Sequence, residues 1–172
     1  MKTISVNLSI NSIDKAIKEL AAYKKNIEKK CMELCKRLSE IGLEHATMDF
    51  QSVNYVGEKD VNVVVKKTEN GYSIIANGET VLILEFGAGK TYGYGHPQAA
   101  DFGMGPGTHP DPHYRTINGQ EIANWENPDG WYIPGTYGTK TLGNAPAMAM
   151  YNSAQAMRRE IERIAKEVFA ND

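Results

Sequence analysis

Only two of the 172 residues are cysteine, and no apolar run approaches the roughly 20 residues that cross a bilayer, which removes disulfide-stapled and membrane-spanning proteins together. Cys31 and Cys35 sit four apart in a helical pattern. That is neither the two-residue gap of a redox or zinc pair nor a disulfide framework, and the two read as reduced, half-buried thiols. Positive charge is not in excess either, since 19 Lys and Arg stand against 21 acids for a formal charge of -2. This excludes the basic footprint by which proteins grip nucleic acid through its phosphates. The segment Met1-Lys2-Thr3-Ile4-Ser5 lacks the apolar core of a signal peptide, so synthesis in the cytosol is expected. No internal repeat is visible.

Proline and glycine are concentrated in one place. All seven prolines and twelve of the sixteen glycines lie between Gly87 and Pro146. Such a segment cannot be a helix, and it holds Tyr92, Tyr94, Phe102, Tyr114, Trp125, Trp131, Tyr132 and Tyr137, too many aromatics for a plain linker. It is expected to fold against something. The aromatics either tack it to its own domain or anchor a neighbouring chain.

Around that segment the pattern is regular. Thr3 to Ile10 alternates apolar and polar residues with the period of a half-buried strand. Asn11 and Ser12 offer capping side chains for a long helix with apolar residues at Ile13, Ile17, Leu20, Ile27, Cys31, Leu34, Leu38 and Ile41, interrupted by Lys24. That stripe is narrow and coiled-coil-like, suited to lying along a sheet or another helix. Gly42 fits the residue after a helix end, while Leu43 to Phe50 also fit a short second helix after a kink. Val61 to Lys67, Gly71 to Ala76 and Thr80 to Phe86 read as three strands of an antiparallel meander, divided by the Asn-Gly turns at Asn70-Gly71 and Asn77-Gly78. Pro146 to Phe169 reads as a closing helix with Pro146 in its first turn. The expected fold is α+β: one domain over residues 1–172, with a small antiparallel sheet packed by an N-terminal and a C-terminal helix and a long loop over 87–146.

Catalytic patterns are weak. Gly87-Ala88-Gly89-Lys90-Thr91 has the ending of a phosphate loop, but its first glycine would fall at Leu84, and Tyr92-Gly93-Tyr94-Gly95-His96-Pro97 cannot open the helix whose amides must hold phosphates. His96, His109 and His113, with Asp101 and Asp111 between them, offer the alternative of a metal-binding module or metal-dependent enzyme. Prolines splay that run and no helical metal motif supports it, so ordinary hydrogen bonding is the preferred role. Glu85, the lone charge in an apolar run, reads as an acceptor of backbone or partner hydrogen bonds, because no nucleophile stands at a useful spacing. No cofactor is expected.

Three stretches together resemble a known family. They are Ile83-Leu84-Glu85-Phe86-Gly87-Ala88-Gly89, Gly130-Trp131-Tyr132-Ile133-Pro134-Gly135 and Leu142-Gly143-Asn144-Ala145-Pro146-Ala147-Met148, the last leading to Tyr151 and Arg158-Arg159-Glu160-Ile161. With Glu58-Lys59-Asp60-Val61 and Glu69-Asn70-Gly71-Tyr72, these resemble the tail-completion, or head-tail joining, proteins found at the neck of long-tailed phages and in prophages. The resemblance implies a non-enzymatic virion protein, made in the bacterial host cytoplasm. It also implies assembly as a homo-oligomeric ring of six copies between head-closure (connector) proteins and the tail terminator or tail tube, with DNA only passing through the channel. Glu85, Phe86, Gly87 and Gly89 are then expected to set the exit of the apolar strand, and Trp131, Tyr132, Pro134, Gly143 and Pro146 to fix the return of the loop or its interface.

Overall fold

The computed structural model describes residues 7, 9–55, 57–89, 91–102, 114–123, 129–132 and 140–170. A 43-residue helix α1 (Ile10–Ser52) leads into strands β1 (Asn62–Thr68) and β2 (Gly71–Asn77), then a short helix α2 (Val81–Phe86). A 3-10 turn at Ala100–Phe102 and two small hairpins follow, β3 (Tyr114–Ile117) with β4 (Gln120–Ala123) and β5 (Trp131–Tyr132) with β6 (Lys140–Thr141). Helix α3 (Ala149–Phe169) comes last. This is the expected α+β arrangement of a long first helix, a small antiparallel sheet and a final helix.

Helix α1 starts earlier than its sequence suggests. Ser9 is the cap, its hydroxyl accepting the Ser12 N–H at 3.3 Å, so Asn11 and Ser12 lie inside the first turn. Ile10 is therefore helical and does not end a strand, Ser9 is the cap, Asn7 is in no regular element, and residues 3–6 and 8 of the proposed first strand lie outside the described residues. Gly42 ends nothing: α1 runs unbroken to Ser52. The reason is a close crossing. A Cβ at Gly42 would lie under 3.0 Å from Ile74 Cδ1, Met157 Sδ and Ser153 Oγ, and the Gly42 carbonyl accepts the Ser153 hydroxyl at 2.8 Å. Of the two thiols, Cys35 is half-buried as expected and Cys31 is exposed, and both are free.

β1 and β2 form the expected hairpin, Val65 opposite Ile74 and Thr68 opposite Gly71. The third strand of the meander is absent, and Val81–Phe86 is α2 instead. A six-residue apolar run fits a strand or a buried helical turn equally well. Asp60 decides between them: its carboxylate accepts the Glu79 N–H, the Thr80 N–H at 3.0 Å and the Thr80 hydroxyl, folding the chain back at Gly78 and opening a helical turn closed by Leu84 N–H on the Thr80 carbonyl at 2.9 Å. Those three bonds hold the Asp60 carboxyl below the ordinary carboxylate range, the Thr80 hydroxyl contributing most.

α3 lies antiparallel against the second half of α1. Asn152 Nδ2 donates to Asp49 at 2.8 Å near one end, Arg37 pairs with Glu167 further along, and Lys30 sits over the Phe169 ring at 5.7 Å. Phe50, Leu84 and Ala149 form the core between helices and hairpin, with Val53, Val63, Ala76, Val81 and Met150 packed around them. The α1 segment before Lys30 extends past the end of α3. The Gly/Pro-rich loop is more regular than expected: Asn118 and Gly119 both take positive φ (49° and 81°), the geometry of a tight two-residue hairpin turn.

Candidate functional site

The stretches Ile83–Gly89 and Leu142–Met148 meet where α2 ends and α3 begins. Past Phe86 the chain turns at Gly87, φ +77°, and Ala88 pairs with Asn144 through backbone hydrogen bonds of 2.9 and 3.0 Å. A Cβ on Gly87 would press on the Asn144 carbonyl and on Pro146 N at 2.8 Å, and one on Gly143 would strike the Ala88 carbonyl. Glycine is needed at both places because two backbones touch there. Gly130, which opens the middle stretch, lies equally close to the Thr141 carbonyl, and Trp131 pairs with Thr141 across β5 and β6. Tyr132 pairs with Lys140, Gly89 takes φ +88°, and Pro134 lies outside the described residues.

Pro146 does not occupy the first turn of α3, which begins three residues later. Residues before it are sewn to the end of α2 instead: Ala147 N–H donates to the Leu84 carbonyl at 2.7 Å and Met148 N–H to the Glu85 carbonyl at 3.2 Å. Asn144 Nδ2 adds a bond to the Ile83 carbonyl at 3.0 Å. The carbonyls of Ile83, Leu84 and Glu85, which a helix end leaves without internal partners, are thereby satisfied.

Helix α3 has no acid in its first turn, and its cap, Met148, sits in the left-handed region at φ 53° with no side chain able to accept. Glu85 fills that role from another element. Its Oε2 accepts the Met150 N–H at 2.9 Å and its Oε1 the Tyr151 N–H at 3.0 Å. A carboxylate at this end of a helix satisfies orphan amides and faces the positive end of the dipole. The expected role of Glu85 as an acceptor of backbone hydrogen bonds is met, although from a helix and not a strand.

His96 completes the group. Its Nδ1 accepts the Gln98 N–H at 3.1 Å, so Nε2 carries the proton and donates to Glu85 Oε1 at 3.2 Å. Both side chains are buried, at 2% and 7% exposure. The imidazole packs against Phe86, ring centroids 4.4 Å apart, and against Tyr151 at 5.8 Å, and Phe102 packs against Phe86 at 5.5 Å. At least part of the aromatic content of the loop therefore tacks it to its own domain. Tyr92 and Tyr94 remain exposed, and Trp125 and Tyr137 lie outside the described residues.

The chemistry open to this cluster follows from its bonding. A general base needs a lone pair aimed at a substrate proton. Here both ring nitrogens of His96 and both oxygens of Glu85 hold internal partners. Among the described residues no three His, Cys, Asp or Glu side chains gather as a metal site, and His109 and His113 lie outside that set. No described helix is long and apolar enough to cross a membrane. Beside Tyr151 a polar groove of about 460 Å³ opens between α1 and α3, lined by His45, Asp49, Asn152, Gln155 and Arg159.

Sequence reasoning placed His96 with the loop histidines and did not foresee the bonds of Asn144 to Ile83 and Ala88. A signal for the Glu85 pairing was present: a helix start with neither acid nor capping hydroxyl, and one stray carboxylate in an otherwise apolar segment. Compared with family models, with curated proteins and with solved structures, the chain finds no match in any of the three.

Proposed function

We propose that this chain is a structural subunit of the neck of a long-tailed phage or prophage, assembling as a ring of six copies that joins the head-closure proteins to the tail and performs no reaction. The reading rests on the family resemblance. One observation supports it beyond sequence order: stretches some fifty residues apart along the chain, Ile83–Gly89 and Leu142–Met148, close on one another through the Ala88–Asn144 bridge, and Gly130 stands against Thr141 at the edge of the same knot. Glu85 and His96, the pair best suited to acid-base work, serve as an internal clasp, which fits a protein without an active site.

Deleting the gene should leave DNA-filled heads and finished tails unjoined, and the purified chain should give rings in negative-stain images. Complete virions from the deletion strain, or turnover of a substrate by the purified protein, would refute the proposal.

A further inference from the structure

The groove beside Tyr151 holds donors that the fold leaves unused. His45 and Asp49, four residues apart, share one face of α1, and Asn152, Gln155 and Arg159, at spacings of three and four, share one face of α3. Several basic side chains nearby on the same helices are matched: Arg37 and Arg163 by Glu167, Lys36 by Glu40 and Lys166 by Glu162. His45, Gln155 and Arg159 are not, for their side chains hold no hydrogen bond or ion pair among the described residues. The acids within a turn of them on the same faces are engaged. Asp49 accepts Asn152 Nδ2 at 2.8 Å, and Glu162 accepts Lys166 Nζ at 2.6 Å.

Helix geometry gives the groove a direction. The Asp49–Asn152 bond marks one end. Because the helices run antiparallel, His45, one turn back along α1, and Arg159, two turns on along α3, both lie toward the other end, and Arg159 stands about 10 Å along the axis from Asn152. One end therefore carries a carboxylate that accepts, and the other a guanidinium and an imidazole that donate.

We propose that this groove binds an acidic peptide segment of a partner protein, with its Asp or Glu carboxylate on Arg159 and His45 and its backbone N–H groups toward Asp49. The guanidinium is a planar fork matched to a carboxylate, and an imidazole has a proton to donate in either charge state. The length suits about three extended residues at roughly 3.3 Å each. Asp49 disfavours rival anions: a phosphate group would bring a charge of about -1.5 to -2 into the same groove as that carboxylate, and a nucleic-acid backbone would repeat the repulsion along its length. A peptide supplies in one molecule the single negative charge and the donors that the two ends require. The contact prescribes no number of copies, so it holds or fails independently of the ring.

Calorimetric titration of the full chain with the peptide acetyl-Gly-Ala-Glu-Ala-Gly-amide at millimolar concentration tests this. Binding should saturate at one peptide per chain and weaken with added salt. His45 and Arg159 are both exposed, so His45→Ala and Arg159→Gln should keep the helical circular dichroism while each weakens binding about tenfold, the loss expected for one charge-assisted hydrogen bond. A peptide with glutamine in place of its glutamate should bind the unaltered chain about tenfold more weakly, and a peptide with lysine there should recover affinity for Arg159→Glu. Absence of saturable binding, equal affinity for the glutamine peptide, equal affinity for acetate or inorganic phosphate alone, or affinity unchanged in both variants would each overturn the proposal.

Discussion

Replacing Glu85 by glutamine isolates the clasp at the start of α3, because it keeps the shape of the side chain and removes its charge. The carboxylate accepts the Met150 and Tyr151 amides at 2.9 and 3.0 Å and the His96 Nε2–H at 3.2 Å, all beneath the surface. A carboxamide offers one acceptor oxygen, and its NH2 must face either the Met150 amide or the Tyr151 amide together with the imidazole N–H; the first costs less. One donor loses its partner, for about 1–3 kcal/mol. The surviving bonds lose their charge assistance, and the interaction with the helix dipole, up to ~2 kcal/mol in a partly buried setting, goes as well. Allowing for relaxation, Glu85→Gln should cost about 2–4 kcal/mol, a large share of the roughly 5–15 kcal/mol that holds a domain folded. Urea unfolding followed by far-UV circular dichroism reads the total. Hydrogen exchange places it: the Met150 and Tyr151 amides should lose protection while the β1–β2 amides keep theirs. A change under 0.5 kcal/mol with unaltered exchange at those two amides would refute the role assigned to Glu85.

Three further outcomes are expected. Gly42→Ala improves helix propensity by about 1 kcal/mol, but its methyl meets Ile74, Met157 and Ser153, so a net loss of about 1–3 kcal/mol in urea unfolding is expected, and a gain in stability would remove the close crossing. Gly87→Val forces a branched side chain to φ +77° and into Asn144 and Pro146; ring assembly should fail while most helical signal survives, and equal loss of both would make Gly87 a folding residue alone. The Asp60 carboxyl is held below its ordinary range when folded, so its contribution is complete above about pH 4 and disappears as pH falls through the lowered folded value; exchange at the Glu79 and Thr80 amides should rise there, and Asp60→Asn should show fast exchange at every pH.

The long first helix, the hairpin and the final helix were legible from the order of residues, since each is long or strongly punctuated enough for local periodicity to specify it. The α1 stripe repeats through many turns, and the turn between β1 and β2 was placed to within a residue: it is formed by Glu69 and Asn70, with Gly71 already in β2 opposite Thr68. Glu85 was legible as an acceptor of backbone hydrogen bonds. Three matters escaped local pattern. The state of Val81–Phe86 depended on Asp60, which lies about twenty residues upstream and reaches the Glu79 and Thr80 amides only once β1 and β2 have paired. The meaning of Gly42 depended on Ser153 and Met157, whose approach requires a residue without a side chain in mid-helix and makes a stop signal into a crossing point. The partners of Glu85 sit 11, 65 and 66 residues away. Local sequence sets what each segment can become, while a short apolar run, a lone glycine and an uncapped helix end stay ambiguous until distant groups arrive to satisfy their backbone or fill their space, and that is decided only by tertiary structure.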